Sequence, residues 1–184
     1  MIDIYILIAG NLLIFAIIGW AVSLVTKNVT HVDSMWSIFI VIAYVTALQE
    51  TWLLSNQNIA VLFLVLIWSA RLTAYLSIRN FGSKEDIRYQ EIRSNNEPNF
   101  KFKSLYIIFI FQAVLAMIIS MPLIAIAISS HSFGTLDIVG LGIIVFGILY
   151  ETVADYQLKQ FVKANHKGVL DKGLWRYSRH PNYF

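Results

Sequence analysis

The chain has 184 residues, 58% of them hydrophobic and 14% charged, with a formal net charge of +3 and no cysteine. A mean hydropathy of +0.65 is too apolar for a soluble domain of this length, so the expectation is an all-α, polytopic integral membrane protein whose first partner is the lipid bilayer. The missing cysteines exclude a disulfide framework and a thiolate metal site; neither a metal nor a nucleic-acid partner is expected, and the oligomeric state is not readable.

The first apolar run, roughly Ile4 to Val25, is long enough to cross a bilayer, which takes about 20 apolar residues. It is not a cleaved signal peptide, because its flank carries Asp3 instead of a basic cluster and no small-residue cleavage pattern follows. Asn11 inside it reads as an interhelical hydrogen-bonding group. After the polar connection Thr26 to Ser34, a second span covers about Met35 to Leu54, opened by Trp36 at the membrane interface. Asp33 has two readings, a cap on the amides of that helix or the lining of a polar cavity.

The third span runs from Ile59 to about Ile78 and carries Arg71, Tyr75 and Arg79 at four-residue steps, on one helix face. Arg79 reaches the headgroups by snorkelling, whereas Arg71 sits about two turns deeper, roughly 12 Å at the helical rise. In the loop Arg79 to Lys103, Ser83 followed by Asp86 reads as a helix start with a capping-box acid, and Glu85 and Arg88 are placed to pair along that helix. The rest of the loop reads as a solvated face. A fourth span, about Ser104 to Ile128, should bend at Pro122.

The fifth span extends from about Leu136 to Phe161 and carries Glu151 and Asp155 one turn apart, hence on one face. Ionisable groups at that depth are costly and usually face a polar cavity. Residues 162–184 close the chain with Arg176, Arg179, His180, Asn182 and Tyr183 in a short run, which suits an anionic ligand. Residues 1–184 are expected to form a single membrane domain, and the stop at Phe184 inside that run reads as a partial sequence.

Lysine and arginine are confined to alternate segments. Lys27 lies in one connection, six basic residues lie from Arg79 to Lys103, and six more run from Lys159, at the end of the fifth span, to Arg179; 55–58 and 129–137 carry none. The positive-inside rule then puts the N-terminus outside and the C-terminal segment in the cytoplasm. Asp33, Arg71, Tyr75, Arg79, Glu151, Asp155 and the closing run fall on that side, so a cytoplasm-facing polar pocket among the helices is expected.

Glu151 to Phe161 (ETVADYQLKQF) and Gly173 to Phe184 (GLWRYSRHPNYF) resemble the steroid 5-alpha-reductase superfamily, in particular its uncharacterised bacterial membrane branch. Val32 to Trp36 (VDSMW), Trp68 to Leu72 (WSARL) and Glu85 to Tyr89 (EDIRY) look like the same branch. The resemblance implies a bacterial inner (plasma) membrane enzyme that reduces a carbon–carbon double bond of a lipid or steroid-like substrate with NADPH. It implies cofactor contacts from Arg71, Glu151, Asp155, Arg176, Arg179, His180 and Asn182, and Arg79 joins them as a further cation suited to a pyrophosphate. Tyr75, Tyr183 and Tyr44 are the candidate proton donors, and the family's Gly-acidic continuation of the last motif is missing. Isoprenylcysteine-type membrane methyltransferases, which use S-adenosylmethionine, carry similar Arg-His-Pro runs and are the alternative. Converging arginines favour a pyrophosphate ligand over a methyl donor.

Overall fold

The computed structural model describes residues 2–51, 55–129, 133–164 and 168–183. Regular structure among these residues is entirely helical, and five helices are long and apolar enough to cross a membrane. The chain divides into two compact units, Met1–Ser132 and Phe133–Phe184.

In the first unit, α1 (Ile2–Thr26), α2 (Val32–Thr51) and α3 (Asn56–Asn80) precede a short α4 (Ile87–Ser94). The fourth span is built from α5 (Phe100–Ser104), a π-helical stretch (Leu105–Ile110), α6 (Phe111–Ile119) and α7 (Met121–Ile128). Its break falls at Ser120, two residues before Pro122, which has no N–H to offer the Ile118 carbonyl. The buried Ser120 hydroxyl donates to Ala116 O at 2.7 Å across the break. Helix α3 extends beyond the hydropathy limits at both ends, because its end residues Asn56 and Asn80 are helical without being apolar. The expected end of the second span at Leu54 lies outside the described residues, as does His131 in the lysine-free loop.

Helix α2 is the centre of this unit, packing on α1, α3, α6 and α7. Its buried Ser37, Ala43, Thr46 and Ala47 are small, which lets neighbouring backbones approach where lipid offers no hydrophobic drive. Polar side chains then clip helix to helix. Asn11 Nδ2 donates to Thr46 Oγ1 at 3.0 Å, as expected for that residue. Ser37 Oγ lies 2.9 Å from Thr73 Oγ1, which itself donates to Ser34 O.

The second unit is α8 (Thr135–Lys163) with two 3-10 turns, Gly173–Arg176 and Pro181–Tyr183, folded back on it. The Gly134 amide donates to Asp137 Oδ2 at 2.7 Å at the start of α8. Within the structure, none of the most apolar 18-residue window of α8 is buried.

Candidate functional site

The last turns of α8 bury Ala154 and Asp155 beneath the C-terminal run. Three side-chain contacts dock that run. Trp175 Nε1 donates to Ala154 O at 3.0 Å, the Leu174 amide donates to Gln157 Oε1 at 3.0 Å, and Asn182 Nδ2 donates to Asp155 Oδ1 at 3.2 Å. Gly173 makes the approach possible. Its φ of +60° is left-handed, and a Cβ there would stand 2.6 Å from the Gln157 amide, so glycine alone fits without strain. Gln157 and Trp175 were not singled out from sequence; their signal was a polar residue and an indole within the two motif blocks.

The contact to Asp155 fixes which way the Asn182 amide points, since only its nitrogen can donate. Asn182 Oδ1 is left buried with no hydrogen-bond partner among the described residues. An orphaned acceptor costs about 1–3 kcal/mol, a cost removed by a ligand N–H or O–H. An amide acceptor beside a carboxylate therefore forms a small polar cradle at the end of a membrane helix.

The other expected site residues are distributed as follows. Glu151 is half-buried one turn before Asp155, while Arg176, Arg179, His180 and Tyr183 are exposed. His180 and Tyr183 stack on each other, with ring centroids 5.2 Å apart. Arg71 and Tyr75 are half-buried and Arg79 is exposed on α3, all in the first unit. Tyr44 is fully buried and donates its phenol to Asn58 O at 3.3 Å, so its proton is already engaged. No group of three or more His, Asp or Glu side chains placed to hold a metal occurs among the described residues.

A second polar cluster ties the loop after α3 to the connection before α2. Tyr89 donates its phenol to Asp33 Oδ1 at 2.5 Å, and Arg88 Nη2 donates to Asp33 Oδ2 at 3.2 Å. Asp33 thus lies in the first turn of α2 rather than ahead of it as a cap, and it latches α4. The expected helix start is corrected too. Asp86, not Ser83, is the cap, accepting from the Arg88 amide. Glu85 does not pair with Arg88 but takes two hydrogen bonds from Arg93 at 2.9 and 2.7 Å, and one from the Val29 amide at 3.0 Å. The reason is that Glu85 precedes the helix, so helical spacing does not govern its reach. Burial pushes the Glu85 carboxyl up, but the bonds from Arg93 and Val29 and the Arg93 charge outweigh it and hold it below the glutamate range. Asp86 is likewise held low, chiefly by the Arg88 hydrogen bond. Tyr89 is pushed well above the usual tyrosine range by burial and by the Asp33 carboxylate.

With both clusters defined, comparison with known proteins places the chain. A family model described as "Protein of unknown function (DUF1295)" matches residues 19–184. The chain belongs to that family. The DUF1295 match takes in the Asp33 latch and the Asp155–Asn182 cradle alike. An uncharacterized protein of the fission yeast Schizosaccharomyces pombe, C594.04c, is 29% identical over 96% of this chain. The chain spans 58% of the length of that curated relative. No solved structure matches significantly.

Proposed function

We propose that the protein is a membrane-embedded reductase that uses NADPH to reduce a carbon–carbon double bond in a lipid or steroid-like substrate. The observation that carries this reading is the unpartnered Asn182 acceptor beside buried Asp155, on the two sequence blocks that resemble the steroid 5-alpha-reductase superfamily. NADPH supplies the hydride, and the protein supplies orientation and electrostatics. The carboxamide and ribose hydroxyls of such a cofactor are donors of the kind Asn182 Oδ1 and the carboxylates of Asp155 and Glu151 accept. Exposed Arg176 and Arg179 offer guanidinium forks suited to phosphate oxygens, with His180 beside them. The resemblance matches Arg71 to an arginine near the cofactor phosphates, and Arg79 is a further cation on the same helix. In this reading Tyr75, half-buried on α3, gives the proton that completes the reduction. Tyr183 is the second donor candidate. The lysine and arginine distribution supports a site facing the cytoplasm, and the resemblance alone suggests a bacterial inner membrane.

The test is titration of NADPH and of S-adenosylmethionine into the protein purified in detergent. NADPH should bind and S-adenosylmethionine should not. Asn182→Ala should weaken NADPH about fivefold to tenfold, the loss of one ligand hydrogen bond. Binding of S-adenosylmethionine alone would replace the reductase with the methyltransferase.

A further inference from the structure

A cavity of about 470 Å³ opens between the end of α1 and the start of α5, and none of the residues expected to contact the cofactor lines it. Its walls combine Lys27, Arg93 and Lys101 with Leu24, Phe100 and Phe102. We propose that this cavity binds the phosphate of an acidic phospholipid, with the acyl chains lying along the apolar side.

Of the three cations that face it, only Arg93 is ion-paired among the described residues. Arg93 uses Nε and Nη2 on Glu85 and on Lys27 O, so its Nη1 edge is the one left for a ligand. Phe100 lies under the same guanidinium at 4.2 Å and keeps it in place. Glu85 is saturated by Arg93 and the Val29 amide. Neither Lys27 nor Lys101 enters an ion pair among the described residues; the Lys101 ammonium lies 4.9 Å above the Phe102 ring. The backbone at Lys27 is left-handed, with φ 54°. Glycine adopts that conformation at no steric cost, yet the chain spends a lysine there.

The depth is right for a headgroup. Trp20, a residue type that settles at the membrane–water boundary, donates its indole N–H to Lys101 O at 2.8 Å. The cavity is thus tied to the level where phosphates lie, and basic pockets between helices at that level hold acidic lipid headgroups. Mixed apolar and cationic walls fit a lipid phosphate better than a free one.

The experiment is native mass spectrometry of the protein exchanged into nanodiscs of phosphatidylcholine with phosphatidylglycerol. Wild type should retain one phosphatidylglycerol in preference to phosphatidylcholine. Lys27→Asn, which suits the left-handed backbone, and Lys101→Gln should each cut that preference roughly fivefold. Lys103→Gln, outside the cavity, should leave it unchanged, with melts confirming that all variants fold. Equal retention of the two lipids, or a preference surviving in the double variant, would overturn the proposal. So would inorganic phosphate binding that depends on Lys27 without any lipid preference, because the anion would then be a soluble one.

Discussion

The two polar clusters, one in each unit, treat buried polarity in opposite ways. In the first, Asp33, Glu85, Asp86, Arg88, Tyr89 and Arg93 satisfy one another across the connections before α2 and after α3. In the second, Asp155 and Asn182 meet, but Asn182 Oδ1 is left over. A polar cluster that closes on itself holds a fold together; one that leaves an acceptor unsatisfied can take a donor from a ligand. The resemblance blocks follow the same division. VDSMW docks on EDIRY in the first unit, and ETVADYQLKQF docks on GLWRYSRHPNYF in the second.

The sharpest way to break this contrast is Glu85→Ala. The Glu85 side chain is only 11% exposed and Arg93 32%, so removal strands a half-buried guanidinium and the Val29 amide. A loss of about 1.5–3 kcal/mol is expected, the range for hydrogen bonds to charged groups, with the NADPH affinity of the folded protein unchanged. Thermal melts in detergent measure it; an unaltered Tm would show that the first cluster is not structural. The same cluster sets an acid limit. Glu85 and Asp86 are held low in the fold, so the unfolded chain takes up more protons as pH falls. Their stabilisation is complete above the ordinary carboxylate range, around 4, and is lost below it. Tm should fall through that window, and Glu85→Gln should flatten the fall.

Arg71→Ala asks whether the first unit also serves the cofactor. Loss of a charge-assisted phosphate contact is expected to cost on the order of 1.5–3 kcal/mol of NADPH binding, tenfold or more in affinity. Arg71→Lys should restore only part, because an ammonium lacks the guanidinium fork. A collapsed Tm with unchanged NADPH affinity would instead make Arg71 part of the first unit's scaffold.

Gly173→Ala should loosen the motif from α8, at about 1–2 kcal/mol for the left-handed backbone alone. Faster tryptic cleavage after Lys172 and Arg176 reads that loosening directly, and wild-type cleavage rates would contradict it. The smallest effect belongs to Asp33→Asn. Arg88 is 63% exposed in that pair, so its contribution is about 1 kcal/mol or less, and Tyr89 can still donate to the new amide oxygen. A larger loss of Tm would mean the latch depends on charge.

Spans were legible because twenty apolar residues have few other uses, and Asn11 because a lone amide in such a run needs a partner. The partners of Asp33 were not legible: Arg88 and Tyr89 lie 55 and 56 residues away, and nearer alternatives satisfied every local rule. Ser83 and Glu85 misled for the same reason, since helical spacing was applied to residues that precede the helix. In the second unit the blocks were recognisable, but the orphaned Asn182 oxygen depends on which end of the amide faces Asp155, and sequence does not encode that directly.

Helix α8 has 29 residues, about 43 Å at the helical rise, against roughly 30 Å of hydrocarbon in a bilayer. Counted from Leu136, an upright helix leaves the hydrocarbon after about twenty residues, close to Asp155. The docked C-terminal run is then a collar around the helix where it emerges from the membrane. A reductase of the proposed kind would select there by depth: an unsaturated bond near the headgroup end of a lipid would come within reach, and one buried near the bilayer midplane would not.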